Sequence, residues 1–301
     1  MPILKEESTG PKVTAIITTH NRLPLLKRAI DSVIDQTYSN IELIVVSDNS
    51  TDGTVEYCNG RNDFQFIGIP ASESKGGNYA RNLGIKAARG EYVAFLDDDD
   101  YWLPTKVKKQ MALMESKQCD LVYCGQRIET LSLDGQIKYS DSLPEEMWCG
   151  NVKDIILTKI VTTTSAILVK KSALLEVGLF DENLRFWQEY ELTIRLAQRS
   201  PFFFVNEPLL VYRVDTNDAG RLTNKYHEWW DAVGYIHKKH KKLYARLSFK
   251  EMRFSKLLVY NDALVRAKTC GLDTECLHLN RLIKLWSIPE ILSDKWAAKF
   301  Q

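Results

Sequence analysis

The sequence predicts a doubly wound α/β domain with a mostly parallel sheet and flanking helices, followed by a helical appendage. Three observations predict it. Apolar strand-like runs alternate with helical repeats over the first 117 residues, which is the pattern of a parallel sheet with crossover helices. Two of those runs, "IELIVVSD" and "YVAFLDDDD", end in acids. From Tyr226 the chain turns to helical segments rich in Lys, Trp and Leu, with no strand signal. The boundaries that follow are an α/β body over 1–224, with halves at about 11–117 and 118–224, and a helical region over 225–301.

The elements justify themselves in order. "VTAIITTHNR" (13–22) is a β-branched run entering a polar loop, the mark of a buried strand. "LPLLKRAIDSVIDQ" (23–36) places Leu26, Ala29, Ile30 and Val33 on one helical face, with Pro24 tolerated in the first turn. "IELIVVSDNSTDGT" (41–54) is a second strand, a turn and a helix start, and "FQFIGI" (64–69) a short third strand. "GGNYARNLGIKAARG" (76–90) is a helix with Gly90 as its expected C-cap. The strand into the four aspartates follows, then a helix from about Pro104 to Lys117. Farther on, "CDLVYCGQRIETLS" and "IVTTTSAILVKK" read as strands and "SALLEVG" as a helix. "EYELTIRLAQRS" (189–200) reads as an amphipathic helix and "FFFVNEPLLVYRV" (202–214) as an extended apolar segment.

Composition narrows the class. Hydrophobic residues make up 45% and charged residues 26%, ordinary for a globular protein. No run of eighteen uncharged apolar residues predicts a transmembrane helix. The segment MPILKEESTGPK has no apolar core, so no signal peptide is expected. Six cysteines without a CxxC pair read as free thiols in a reducing cytoplasm. Residues 225–301 hold 15 Lys+Arg against 8 Asp+Glu, net +7, and residues 1–224 hold 25 against 31, net −6. A basic tail on an acidic body points to an anionic surface, with an ordinary solvated helical hairpin as the plain alternative.

Adjacent carboxylates repel unless water, a cation or a cationic ligand absorbs the charge. Asp97, Asp98, Asp99 and Asp100 stand at the C-terminal end of a strand, the edge where open α/β sheets bind ligands. Asp48 ends its own strand, so its carboxylate and theirs are expected to converge on one crevice. Oxygen-only donors suit Mg²⁺ or Mn²⁺ shared with substrate phosphates, which makes a nucleoside diphosphate the expected cargo. A GxxxxGK[ST] loop is absent and no GxGxxG follows the first strand, so P-loop and dinucleotide enzymes are disfavoured.

Four blocks, "AIITTHNR", "IELIVVSDNSTDGT", "NYARNLGIKAARGEYVAFLDDDDYW" and "WQEYELTIRLA", resemble the successive signatures of inverting family 2 glycosyltransferases with the GT-A fold, over roughly residues 11–215. The resemblance implies a metal-dependent hexosyltransferase using a UDP-sugar donor, with Mn²⁺ or Mg²⁺ as cofactor. Thr18, Asn21 and Arg22 fall where such enzymes begin the nucleotide pocket. Asp48 matches the acid that binds the uracil ring, although the family more often has two acids where this chain has Ser47 and Asp48. Lys75 and Arg81 lie in the segment that closes over the nucleotide, with surface or helix-packing roles as the alternative. Asp97 and Asp98 belong to the nucleotide-sugar site and Asp99 is the expected metal ligand, while Asp100 caps the next helix or holds a neighbour. Glu189 stands where the family usually has an Asp as catalytic base, with Glu191 the lesser candidate. In "VYRVD" the family often has a His where Asp215 stands, a position from which Asp215 would reach the metal or the diphosphate, and Arg213 and Arg221 are candidate phosphate partners.

The expected acceptor is a saccharide, lipid-linked as in bacterial capsule or O-antigen synthesis, and the expected location is the cytoplasm or the inner face of the cell membrane. Segment 226–250, with Trp229, Trp230, Tyr235 and the cluster HKKHKK, would lie on an anionic membrane. Its tryptophans would equally line an acceptor cleft or pack the helices together. No nucleic-acid partner is expected. Two other readings remain: a non-catalytic sugar-nucleotide-binding protein, and a nucleotidyltransferase, against which the absence of glycine from "TTHNRLP" argues.

Overall fold

The structure is a computed structural model that describes residues 10–132, 134–215 and 225–297, the stretch 288–297 by its backbone alone. Two compact units divide the chain, Met1–Val152 with Val161–Asn217, and Lys153–Ile160 with Asp218–Gln301.

The first unit is built on a nine-stranded sheet. Its opening half runs β1 (Val13–Thr19), α1 (Leu23–Ile34), β2 (Ile41–Asp48), α2 (Thr54–Asn59), β3 (Gln65–Ile69), α3 (Gly77–Ala87) and β4 (Tyr92–Asp97). These four strands lie parallel in the order β3-β2-β1-β4. Helices cover both faces of such a sheet, so its strands need apolar residues on both sides, and Val13, Ala15, Ile16, Ile17, Val45 and Phe95 are all buried. The second half follows with β5 (Tyr101–Trp102), α4 (Lys106–Lys117), β6 (Leu121–Leu131), β7 (Ile137–Ser142), β8 (Leu168–Lys170), α5 (Lys171–Glu176), α6 (Gln188–Ala197) and β9 (Phe202–Asp215). It continues the sheet as β4-β8-β6-β9-β5, with β7 paired to β6. The α/β class and the mostly parallel sheet agree with the sequence reading.

The differences from that reading have local causes. Strand β1 lies between β2 and β4, so the acids of β2 and β4 are not on neighbouring strands. They still share an edge, because Thr18 pairs with Val46 on one side and Asp97 on the other. Helix α4 starts at Lys106 rather than Pro104, with Thr105 at its N-cap. In "IVTTTSAILVKK" a strand covers Leu168–Lys170 alone, and Thr164–Ala166 form a 3₁₀ turn. Ser and Thr side chains compete with the sheet for backbone partners, and here Ser165 is engaged by the acidic turn. Helix α3 ends at Ala87 with Ala88, not Gly90, as its C-cap. Gly90 is needed for close approach: a Cβ there would stand 2.6 Å from the Thr14 nitrogen and 2.8 Å from the Lys12 carbonyl oxygen.

The second unit holds α7 (Tyr226–Lys239), α8 (Lys241–Tyr244), α9 (Phe249–Thr269) and α10 (Asp273–Ala297). Ser248 and Glu251 close a reciprocal capping box at the start of α9. Trp229 is fully buried and the Arg266 guanidinium lies 5.1 Å from its ring centre. Of the roles open to Trp229, helix packing is therefore the observed one, and this ring does not face a bilayer. No helix among the described residues is long and apolar enough to cross a membrane.

The backbone contact at Gly90 gives a stability test. Gly90→Ala should cost about 1–3 kcal/mol, the usual range for overpacking. Gly60→Ala, where the added Cβ meets nothing closer than 3.6 Å, should cost less than about 1 kcal/mol. Urea unfolding of both variants measures the difference.

Candidate active site

The parallel strands deliver their polar ends to one edge. After β1, Thr19 donates its hydroxyl to Asp98 Oδ2 at 2.7 Å, and Arg22 Nη1 reaches Asp98 Oδ1 at 3.4 Å and Asp99 Oδ2 at 3.0 Å. Thr18, beside Asp97 in the sheet, is half-buried. Asn21 adopts a left-handed φ of 53° and joins two loops. Its backbone N–H donates to Ser50 Oγ at 3.0 Å, and its side-chain oxygen accepts from Thr51 N at 2.6 Å. Asn tolerates that backbone conformation better than other non-glycine residues, so Asn21 here holds the loop in shape.

Asp48 is buried at the end of β2. One oxygen, Oδ2, accepts the Gly76 N–H at 2.8 Å, while Oδ1 is buried with no hydrogen-bond partner. A buried acceptor left without a donor costs on the order of 1–3 kcal/mol, a cost that an incoming N–H would relieve. Gly76 has φ of +91°, which lets the chain turn its N–H toward Asp48. His20 Nδ1 lies 2.5 Å from the Asp48 carbonyl oxygen and fixes the same corner. Lys75 is exposed, its ammonium 4.8 Å from the Tyr79 ring centre.

The four aspartates have four different surroundings. Asp97 accepts from Arg81 Nη2 at 2.6 Å. The other Arg81 terminal nitrogen donates to Gln188 Oε1 at 2.8 Å and to Asn78 Oδ1 at 3.2 Å. Arg81 thus ties the acidic turn to the start of α6, and its observed partners are within the protein. Burial pushes Asp98 up to about 6, with the neighbouring Asp99 adding to the effect and Arg22 and Thr19 opposing it. Asp99 is raised by burial and then by Asp97, against the pull of Arg22. Asp100 is wholly buried and raised well above its ordinary value by burial, then by Asp99 and Asp97. It accepts the Arg213 backbone N–H at 3.1 Å and bonds Ser165. Of the two roles expected for Asp100, it holds neighbours in place and caps no helix.

Three positioning residues escaped the sequence reading. Arg28 donates Nη2 to the Asp99 carbonyl at 2.8 Å. Ser165 Oγ accepts the Asp97 backbone N–H at 3.0 Å, and its carbonyl accepts the Trp102 ring N–H at 2.9 Å. Thr19 is the third. Thr19 lay inside a quoted block, but nothing in the sequence marks Ser165 or Arg28 as touching the turn.

Glu189 is the second residue of α6 and half-buried, and Trp187 enters that helix at a left-handed φ of 52°. The loop before it is anchored to α3, since Asn78 Nδ2 donates to the carbonyls of Asp181 at 2.7 Å and Leu184 at 2.9 Å. Glu191 is fully buried and takes Arg195 through both oxygens, the shortest contact being 2.7 Å. That makes Glu191 a structural carboxylate, and replacing it would leave Arg195 without its partner and disturb the helix.

Asp215 pairs with Arg213 at 3.3 Å, and Arg213 also faces Glu129 at 3.6 Å. Arg221 lies outside the described residues. Among those described, no group of three or more His, Cys, Asp or Glu is arranged to hold a metal ion, so Asp215 and Asp99 form no ready-made metal cluster. The donor chemistry of Asp97 and Asp99 does suit a hard divalent cation. Their mutual repulsion, visible in the raised Asp99, is what such an ion would relieve.

The shifted acid predicts a pH dependence. Asp98 binds its proton more tightly folded than unfolded, so it costs nothing below its ordinary value of 3.8 and destabilises progressively as pH rises through about 6. Full ionisation corresponds to roughly 3 kcal/mol. In urea unfolding with EDTA present, Asp98→Asn should lose less stability than the parent between about pH 4 and pH 6. Parallel pH curves would remove the assignment.

The description "Glycosyl transferase family 2" matches residues 14–181. An uncharacterized glycosyltransferase of Rickettsia typhi is 30% identical over 78% of this chain and 74% of its own length. Escherichia coli WfaP, a UDP-Glc:α-D-GlcNAc-diphosphoundecaprenol β-1,3-glucosyltransferase, is 39% identical over 117 residues, covering 39% of this chain and 47% of WfaP. Among solved structures, Staphylococcus aureus TarS 1–349 in complex with UDP-GlcNAc superposes with a TM-score of 0.58 at 15% identity, over 93% of this chain and 92% of that one. The mannosyltransferase PcManGT of Pyrobaculum calidifontis, with GDP-Man and Mn²⁺, gives 0.54 at 18% identity over 95% and 88%. At those identities the structural likeness establishes the GT-A fold, and the sequence matches establish the lineage: the chain belongs to glycosyltransferase family 2.

Proposed function

We propose that the chain is an inverting glycosyltransferase that moves a sugar from a UDP-sugar to a hydroxyl of a saccharide acceptor, lipid-linked, in cell-surface polysaccharide synthesis. The observation that carries this reading is Asp48, whose Oδ1 is buried without a partner at the sheet edge that also presents Asp97–Asp99. A uracil ring N–H is a donor of the right kind for that oxygen. Two relatives support the choice of donor and acceptor: TarS was solved with UDP and with UDP-GlcNAc, and WfaP is named for UDP-Glc and a diphosphoundecaprenol-linked sugar.

In this proposal the donor half is about 11–117 and the acceptor half about 118–224. Asp48 selects the base, and Thr18, Asn21, Arg22 and Lys75 surround the rest of the nucleotide. Arg81 holds Asp97 and Gln188 together, so the acidic turn and the helix bearing Glu189 keep a fixed spacing. Glu189 takes the proton from the acceptor hydroxyl as its oxygen attacks the anomeric carbon from the face opposite UDP. The anomeric bond to the diphosphate breaks as the new glycosidic bond forms, with inversion. Mn²⁺ or Mg²⁺, held by Asp97 and Asp99, would supply positive charge for the departing diphosphate. Arg22 contacts Asp99 through Oδ2 at 3.0 Å, and the other Asp99 oxygen would be the one offered to that ion.

The test separates binding from transfer. Asp48→Ala should weaken UDP binding by about 1.5–3 kcal/mol in calorimetry, the scale for a hydrogen bond to a charged group. Glu189→Gln should bind UDP-sugar as the parent does and lose manganese-dependent transfer or hydrolysis by about a hundredfold or more. Unchanged UDP affinity in the first variant, or full transfer in the second, would overturn the respective role.

A further inference from the structure

The basic stretch near the end of α7 is not an isolated cluster. Three helix ends meet around it, all within the second unit. His237, near the end of α7, stacks edge-on against Tyr244 of α8 with ring centres 4.4 Å apart. The Lys256 charge on α9 acts on the same His237, adding to burial in lowering its pKa. Lys256 in turn lies 4.8 Å from the ring centre of Trp286 on α10, and Phe249 lies 6.5 Å from it. Arg253 Nε donates to the Trp286 carbonyl at 2.9 Å. Helices α9 and α10 therefore run antiparallel, and the Phe249 end of α9 gathers residues 237–256 with those around Trp286, midway along α10.

That end has a consistent surface. Lys238, Lys239, Lys241, Lys242, Arg246 and Lys250 are all exposed, as is Lys284 beside Trp286. The single acid between 237 and 256 is Glu251, and its carboxylate is committed to the Ser248 backbone in the capping box. Among the cations stand large apolar side chains: Phe249 is 67% exposed and Leu285 58%. The opposite end of the same helices also exposes apolar groups, Val265 and Leu277, but there the charge is mixed, with exposed Lys268 near Asp273 and Glu275 at the start of α10. Charge thus distinguishes two ends of similar greasiness.

We infer that the Phe249–Leu285 end of the helical unit is a docking surface for an anionic lipid bilayer. Lysines around exposed apolar side chains match the two attractions that hold a protein at such an interface, headgroup charge and shallow apolar insertion. The surface differs from the one expected of 226–250 as a continuous strip, because Trp229 is buried and the apolar contacts come from α9 and α10 instead. A polynucleotide would use the cations but has no need of a projecting Phe249 and Leu285, so the bilayer is the better fit. The inference stands apart from the transfer reaction, because it uses no residue assigned to the candidate site.

Sedimentation of the full chain with vesicles tests it. Binding to phosphatidylcholine vesicles containing about a quarter phosphatidylglycerol should exceed binding to pure phosphatidylcholine, and should weaken as salt rises. Converting Lys238, Lys239, Lys241 and Lys242 together to Gln should lower the partition coefficient at least tenfold, since each lysine near an anionic surface contributes roughly fivefold. Removing as many charges elsewhere, at Lys86, Lys108, Lys117 and Lys138, should change it less than about threefold. Phe249→Ser with Leu285→Ser should weaken the binding that persists at high salt, with helix content by circular dichroism showing that each variant folds. Equal loss in both lysine sets would mean mere net charge and overturn the proposal. Absence of lipid preference would overturn it too, as would tighter retention by a polynucleotide than by the vesicles, or concentration-dependent dimerisation abolished by the same changes.

Discussion

Four consecutive carboxylates at the end of a buried strand form the constraint around which the first unit is organised. Left alone, Asp97–Asp100 would repel one another and resist burial. The chain answers each acid separately: Arg81 binds Asp97, Thr19 and Arg22 bind Asp98, Arg22 binds Asp99, and Asp100 is held by Ser165 and the Arg213 backbone. These partners come from β1, α3, the 3₁₀ turn before β8, and β9, so the turn connects the two halves of the sheet. Residual strain remains in the raised Asp98, Asp99 and Asp100. Perturbed carboxylates cluster at functional sites, and these three stand at the sheet edge proposed to take the nucleotide.

The same contacts tie the acidic turn to the helix that bears Glu189. Arg81 is shared between Asp97 and Gln188, and Asn78 on the same helix fixes the loop that leads into α6. Glu189 therefore inherits its place from α3, a helix far away in sequence. Glu191, two residues on, is locked to Arg195 and anchors α6 from its buried side. One face of the helix is thus assigned to structure, and the half-buried Glu189 is left nearer the surface.

Much of this was legible in the sequence, for physical reasons. Buried parallel strands require unbroken apolar runs, so β1, β2 and β4 could be read directly, and an acid that ends such a run has few places to go. Asp48 and the acidic turn were legible on those grounds. The order of strands was not, since the insertion of β1 between β2 and β4 leaves no local trace. Gly90 was misread because a close backbone approach and a helix cap ask for the same residue. Ser165 and Arg28 were invisible because their partners lie 68 and 71 residues away. Trp229 and the apolar residues around HKKHKK shared one stretch, and tertiary packing alone decided which rings face inward.

A crystal structure of the protein with UDP and Mn²⁺ tests the central claim most directly, that this edge is a nucleotide site held ready by the acidic turn. The expected result is the uracil ring N–H on Asp48 Oδ1 with the ion against Asp99. Uracil bound elsewhere with Asp48 Oδ1 still lacking a partner, or an ion bound away from Asp99, would contradict it.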